Sequence, residues 1–485
     1  MAPDHSKTQT TDLLYRIHDR PVAPVAFFAA FQHLLAIIVP IITPGFLICA
    51  AIGVSPRDTS MILSMSLVIS GIATFVQCYK FGPLGAGLLI VQGTSFNFVG
   101  PLIAGGTFMV KSGTPVEQVM ATIFGVVIAG AFIEMAISRI LPFVRRMITP
   151  LVTGIVVLII GLSLIREGLV SMGGGYAAMA QGNFASPQNL LLSFTVLSLI
   201  IVFNRLPVLW VRSSAVMLAL IAGYAVACML GRLDFTALHQ ASWFEIPRPM
   251  HFGLSFSWSL FVPMIIIYLV TSLEAVGDIT ATSKISHEPV QGAVWMNRIR
   301  GGVLVNGANS LLAGFFNTFP SSVFAQNNGI IQLTGVASRY VGLWIAVILI
   351  IMGLVPAVAA LIQSLPEAAL GGATIVMFGS VAASGINILS GIRLDRRALL
   401  IIAVSLALGL GISQVPEFIQ QFPASMRTII LSAFAAAGVS NVPEFVLAVP
   451  QFVADLLGSS LATGGLCAIL LNLFIPETGK HRPAA

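Results

Sequence analysis

Two carboxylates stand four residues apart in an otherwise apolar stretch, Glu274 and Asp278 of TSLEAVGDITAT. On a helix that spacing puts both on one face. Ionisable residues in such surroundings are costly and point to function by default. A desolvated carboxylate beside another can gain and lose a proton near neutral pH, which is the chemistry that coupling to a proton gradient needs. Asp278 reads as support for Glu274 or as a second ligand.

A carboxamide cluster follows in FAQNNGIIQLTG, residues 324–335. Gln326 presents a carbonyl and an NH₂ side by side. That fork matches the N–H/C=O edge of purine-diones and pyrimidine-diones. Asn327 is placed to brace the loop, Gly329 to let the chain pack closely where a half-helix starts, and Thr334 to cap or pack. The free N–H groups and dipole end of that half-helix suit carbonyl oxygens or an anion.

Two further ionisable residues lie inside apolar segments, His33 in FQHLLAIIVP and Glu134 in GAFIEMAISR. For a lone His, a helix–helix hydrogen bond competes with a functional role. Glu134 lies near the end of its segment with Arg139 close by, so an interfacial ion pair is the expectation. Catalytic chemistry finds no support: there is no HExxH, no GxSxG and no paired Cys/His spacing. GGG at 173–175 follows no strand and precedes no phosphate-loop Lys. No metal site or cofactor is expected, and the four cysteines are scattered with no CxxC pair.

The elements that hold these residues must be membrane spans. The 485 residues are 57% hydrophobic and 9% charged, against about 25% charged in soluble domains. Apolar runs of about 17 to 25 residues, each able to cross about 30 Å of hydrocarbon, recur throughout. They fall near 25–52, 59–79, 83–108, 117–138, 143–165, 188–204, 208–231, 256–283, 297–315, 318–336, 340–364, 368–390, 398–413 and 455–475. The fold class is an all-α polytopic membrane protein with 14 transmembrane segments. The first 24 residues are polar for too long to be a signal peptide, so the first span is retained. With both termini in the cytoplasm, 18 of the 24 basic residues fall on the cytoplasmic side, leaving Arg57, Lys111, Arg166, Arg232, Arg248 and Arg427 outside. The net charge of +6 thus reads as orienting residues in loops, not as a nucleic-acid surface.

Seven spans lead to about Arg232 and seven follow, so the halves have inverted topology. Transporters built this way bind substrate at the midplane with interrupted helices. The interruptions fall in corresponding third spans, VQGTSFNFVGP (91–101) and NTFPSSVFAQNNG (317–329). Exposed backbone there must be buried in protein or line a cavity.

QNNGIIQLTG, 326–335, matches the signature of the nucleobase–ascorbate transporter family, and other motifs stand in order around it. QHLL (32–35) is similar to the family's first-span His motif, and LEAVGDITA (273–281) to its eighth-span acidic motif. FPSSVFAQNNG and TGVASRYVG resemble the bacterial xanthine and urate permeases in particular. The resemblance covers roughly 20–413 and resumes at 463–472. It implies two inverted seven-span repeats, with short strands interrupting spans 3 and 10. It implies a core domain at 25–138 and 254–364 and a gate domain at 139–232 and 366–476, with cytoplasmic tails at 1–24 and 477–485. It further implies an elevator-type proton symporter for an oxidised purine, xanthine first and urate second, acting as a homodimer in the inner membrane, with the proton as coupling ion. Carried over by position, Glu274 and Gln326 would hydrogen-bond the substrate, with Ser95, Phe96, Ala325 and Asn327 around it. His33, Asp278 and Asn306 would support the site or its proton coupling. An anion exchanger or channel of the same architecture is the rival of another class; against it, Glu274 would repel a small anion.

Three departures stand out. Ser95 occupies a third-span position where xanthine permeases carry Asn, which widens the pocket and leaves urate open. Asn306 replaces an Asp common in the family, so a proton-linked role there is lost or has moved. Residues 414–462 are longer than the family pattern, with VPEF at 415–418 and again at 442–445.

Overall fold

A computed structural model describes residues 13–147, 149–208, 211–212, 214–240, 244, 247–324, 326–415, 425–426, 428–429, 431–432 and 460–475. Most of the segment 414–462, singled out in the sequence, therefore lies outside the described residues. The chain is mostly helical. Among the described residues, seven helices are long and apolar enough to cross a membrane, and shorter apolar helices join them. Large apolar side chains remain exposed on them, including Met229 at 87% and Phe194 at 53%. Such side chains suit hydrocarbon rather than water.

The first half runs α1 (Ala23–Ile52), α2 (Pro56–Tyr79), β1 (Gln92–Thr94), a 3₁₀ turn (Phe96–Phe98), α3 (Val99–Lys111), α4 (Val116–Met147), α5 (Pro150–Met172), α6 (Gly175–Ala180), α7 (Pro187–Arg205) and α8 (Ala215–Met229). After the short α9 (Thr236–Gln240) come α10 (Trp258–Ile285), α11 (Gly292–Phe315), β2 (Ser321–Val323), α12 (Gln326–Thr334), α13 (Arg339–Gly353), α14 (Pro356–Gln363), α15 (Glu367–Ser390), α16 (Arg396–Gln414) and α17 (Ser460–Phe474). Helix starts follow their sequences. Ser55, Ser186 and Asp395 each accept a backbone N–H three residues on, the first two with Pro at the first helical position.

Helix α4 packs along α11, α2 along α13, and α5 along α15. Glycine makes the first of these close: a Cβ on Gly307 of α11 would stand 2.7 Å from Met135 Cγ. Arg397 joins α16 to α17 by donating to the carbonyls of Asn472 and Ile475, both at 2.7 Å.

Strands β1 and β2 pair antiparallel in the register Gln92↔Val323, Gly93↔Ser322 and Thr94↔Ser321. Ser95 N donates to Pro320 O at 2.9 Å and Phe324 N to Val91 O at 3.0 Å, closing the ladder at either end. Side chains alternate across a strand. Gln92 and Ser321 point one way and bond Asn306 and Asn309 of α11. Gly93 points the other way, where a Cβ would lie 2.6 Å from both Ile41 of α1 and Phe324.

The residues before α1 form a strap. Leu14 N and Tyr15 N donate to Gly335 O (2.9 and 3.2 Å), Ala337 N to Tyr15 O (2.9 Å) and Arg339 N to Ile17 O (3.2 Å). Ser338 Oγ donates to Asp19 O at 2.6 Å. The strap thus lies on the turn that ends α12, where Gly335 takes a left-handed φ of 68°.

Candidate functional site

The 3₁₀ turn after β1 carries the first half of the site. Ser95 caps it, its Oγ accepting from Asn97 N at 3.3 Å. The cap sends the Asn97 side chain toward α10, where Nδ2 donates to a Glu274 carboxylate oxygen at 2.6 Å and to Thr271 Oγ1 at 3.3 Å. Glu274 is thereby held by a carboxamide, and it keeps part of its surface exposed. Phe96, beside Asn97, sets its ring edge-on to Phe378 of α15, with centroids 5.6 Å apart. The turn therefore links α10 to a helix of the second half's far end.

Helix α12 carries the other half and packs against α1 and α10. Asn327 is buried, and its Nδ2 donates to Leu89 O at 2.6 Å, tying the start of α12 to the segment that enters β1. His33 of α1 is fully buried and interacts with Asn327. Neither ring nitrogen of His33 has a hydrogen bond of normal geometry, nor does Asn327 Oδ1. Thr282 Oγ1 donates to Asn328 Oδ1 at 2.5 Å, fixing α10 to α12 one turn beyond Asp278. Thr334 closes the half-helix: its hydroxyl donates to Ile330 O and accepts from Val336 N.

Residues 25–418 match the family model Xan_ur_permease, described as "Permease family". The chain is 49% identical over 472 residues to the xanthine permease XanP of Escherichia coli (strain K12), covering 97% of this chain and 96% of that one. This chain belongs to the nucleobase–ascorbate transporter family. It is also 36% identical over 408 residues to the uric acid permease PucJ of Bacillus subtilis (strain 168), covering 83% of this chain and 88% of that one. Among solved structures, the transmembrane domain of the cyanobacterial bicarbonate transporter BicA superposes with a TM-score of 0.59 at 16% identity, covering 80% of this chain and 95% of that one. That likeness concerns the fold alone. As a member of a family of permeases the chain is a multi-pass membrane transporter, not an enzyme.

Against that family background, Ser95, Phe96 and Glu274 come together around Asn97, and His33 and Asn327 form a second contact. Asp278 shares α10 with Glu274, and one of its carboxylate oxygens is buried without a partner. Gln326 opens α12 and Gly329 lies in its first turn; Ala325 and the side chain of Gln326 lie outside the described residues. Asn97 was not singled out by sequence. Its signal was present in VQGTSFNFVGP, two residues after Ser95, but the stretch reads there as extended chain rather than as a turn that aims a side chain.

Asn306 belongs elsewhere. It is fully buried on the other side of β1, accepting from Gln92 Nε2 and reaching Glu134 of α4. Here the structure corrects the sequence reading. Glu134 is not at an interface and has no ion pair with Arg139; it is fully buried between α10 and α11. The reason is packing: α11 and α10 both lie along α4 before its break at Ile140 (φ −97°, ψ 16°). Glu134 thus lies inside the helix, on the side where Gly307 brings α11 close.

Proposed function

We propose that this protein is a proton-coupled importer of an oxidised purine base, xanthine first and urate second. The observation that carries the reading is the Asn97–Glu274 contact. A donor at 2.6 Å holds the carboxylate at the junction of the 3₁₀ turn and α10, and α10 packs against α12, the helix that Gln326 opens. A carboxylate and a carboxamide on converging elements complement ring N–H groups next to ring carbonyls. A small inorganic anion meets a negative charge in the same place, which disfavours the exchanger or channel reading. The names of the relatives, a xanthine permease and a uric acid permease, support the purine class.

The proposed architecture is 14 spans in two inverted repeats, with β1 and β2 as the interruptions of spans 3 and 10. Spans 1–4 and 8–11 form the moving core and the remainder the gate. The packing of α2 on α13 and α4 on α11 supports the first grouping, and α5 on α15 the second. Phe96 against Phe378 is then a contact across the sliding surface. The protein acts in the inner membrane with both termini cytoplasmic, as a homodimer. A substrate moves the equilibrium between states only through a difference in affinity, and closure over Glu274 supplies one. His33 and Asp278 support the coupling.

The test is uptake of labelled xanthine into cells expressing the chain, with and without a protonophore, and with unlabelled urate, uracil and adenine as competitors. Saturable, protonophore-sensitive xanthine uptake supports the reading, and competition by urate sets the breadth of the site. A chain shown to reach the membrane that neither takes up xanthine nor binds any oxopurine competitor refutes the substrate class.

A further inference from the structure

Glu134 stands in a sealed polar cluster that the substrate site does not use. Its Oε1 lies 3.5 Å from Ser272 Oγ, but that hydroxyl has one hydrogen and places it on Tyr268 O at 2.7 Å. The other oxygen, Oε2, has no partner. Beside it Asn306 has used its carbonyl on Gln92 Nε2, and its Nδ2 lies toward Glu134 without a hydrogen bond of normal geometry. Gln92 in turn has an unpartnered Oε1. Three buried polar atoms along the chain Glu134–Asn306–Gln92 are therefore without a hydrogen bond of normal geometry: an acid oxygen, an amide donor and an amide acceptor. Buried polar groups normally find partners, and unpartnered ones call for a functional account.

Among the described residues no cation pairs with the group. From α10 the titratable residue against Glu134 is Tyr268, whose hydroxyl is already given to Val127 O at 3.0 Å. Glu274 lies two residues beyond Ser272, on the opposite side of α10, and Asp278 a turn further. On α11, Arg298 is paired with Glu288 at 2.7 Å, and Arg300 sits six residues before Asn306. On α4 itself Arg139 is five residues on. Helix α3 brings only Lys111 at its far end, and α17 brings no charged residue.

We infer that Glu134 is a proton-binding residue of the transport cycle, with Asn306 and Gln92 as its partners. Each form of the carboxyl group has a partner in the cluster. The ionised form accepts from Asn306 Nδ2. The acid form carries an O–H that donates to Asn306 Oδ1 once that amide turns, and Asn306 Nδ2 then donates to Gln92 Oε1 as the second amide turns with it. The proton enters and leaves as the conformation opens the cluster to either side, and nothing else is exchanged. Gln92 makes the link to substrate: it begins β1, and the chain runs from it through Ser95 to Asn97, which holds Glu274. A side-chain amide at 306 cannot titrate, and its neighbour across the α4–α11 contact can.

The proposal rests on the symporter reading and is tested apart from it. The full chain is reconstituted into proteoliposomes, and labelled xanthine is followed in two modes. One is accumulation driven by a pH gradient acid outside. The other is exchange against internal unlabelled xanthine without a gradient. The unaltered protein is expected to do both. Glu134→Gln should lose gradient-driven accumulation by tenfold or more while exchange persists. The double variant Glu134→Gln with Asn306→Asp returns one carboxylate to the pair in the swapped position and should regain gradient-driven accumulation. Wild-type accumulation by Glu134→Gln overturns the proposal. So does loss of both modes that the swap fails to restore, which makes Glu134 a packing residue. If the unaltered protein exchanges xanthine but ignores the gradient, the symport reading itself fails and this inference with it.

Discussion

Replacing Asn97 with Ala tests the geometry of the substrate site most directly. The change removes the 2.6 Å donor to Glu274 and leaves Thr271 in place. Hydrogen bonds to charged groups contribute about 1.5–3 kcal/mol. Glu274 is partly exposed, so water recovers some of the loss, and the lower half of that range, about 1.5–2 kcal/mol, applies. At a factor of ten per 1.4 kcal/mol, xanthine uptake at subsaturating concentration should fall roughly 10–30-fold. Asn97 is buried in a turn already capped by Ser95, so the amount of protein reaching the membrane should change little. The assay is initial-rate uptake of labelled xanthine over a range of concentrations, normalised to membrane-resident protein. The loss should sit in KM, because the carboxylate loses its aim rather than its chemistry. Uptake within about twofold of the unaltered chain would refute the argument that Asn97 positions Glu274 for substrate.

Three further outcomes follow from other contacts. Gly93→Val places side-chain atoms where even a Cβ meets Ile41 and Phe324 at 2.6 Å; overpacking of about 1–3 kcal/mol should lower the melting temperature of the detergent-solubilised protein by several degrees. Phe378→Leu keeps an apolar side chain at this fully buried position but removes the ring against Phe96, an aromatic contact of about 0.5–1.5 kcal/mol, and should cut uptake roughly 2–10-fold with unchanged membrane level. Ser95→Asn replaces the small cap of the 3₁₀ turn with a larger amide and should weaken urate competition relative to xanthine; equal inhibition constants before and after would show that position 95 does not set the breadth of the site.

The polar residues that contradict their surroundings were legible. Glu274, Asp278, His33 and Asn327 each break an apolar run, and the structure places all four on α1, α10 or α12 around the strand pair. The helices were legible for the same reason, since long apolar runs leave little choice in a bilayer. What the sequence hid was direction. Asn97 stands in a stretch whose composition marks an interruption, yet only the Ser95 cap turns it toward Glu274. Glu134 was misplaced because charge near Arg139 looks like a membrane boundary; hydropathy does not reveal that α11 and α10 pack over that part of α4. Gln92 went unremarked because its partner, Asn306, is 214 residues away. Periodicity carries no information about such pairs.

The strap before α1 has a consequence for the order of assembly. Asp19 and Ser338 are 319 residues apart in the chain, yet one hydrogen bond joins them. At synthesis rates of about 5–20 residues per second, Asp19 waits roughly 15–60 s before Ser338 is made. Throughout that time the backbone groups of Leu14, Tyr15 and Ile17 have none of their final partners, while most of the helices are already being inserted. The strap therefore closes as a late step, on the turn that ends the half-helix α12 and on the first residue of α13. A chain stopped short of residue 335 can hold much of its apolar framework and still leave Leu14, Tyr15 and Ile17 without a place to bind.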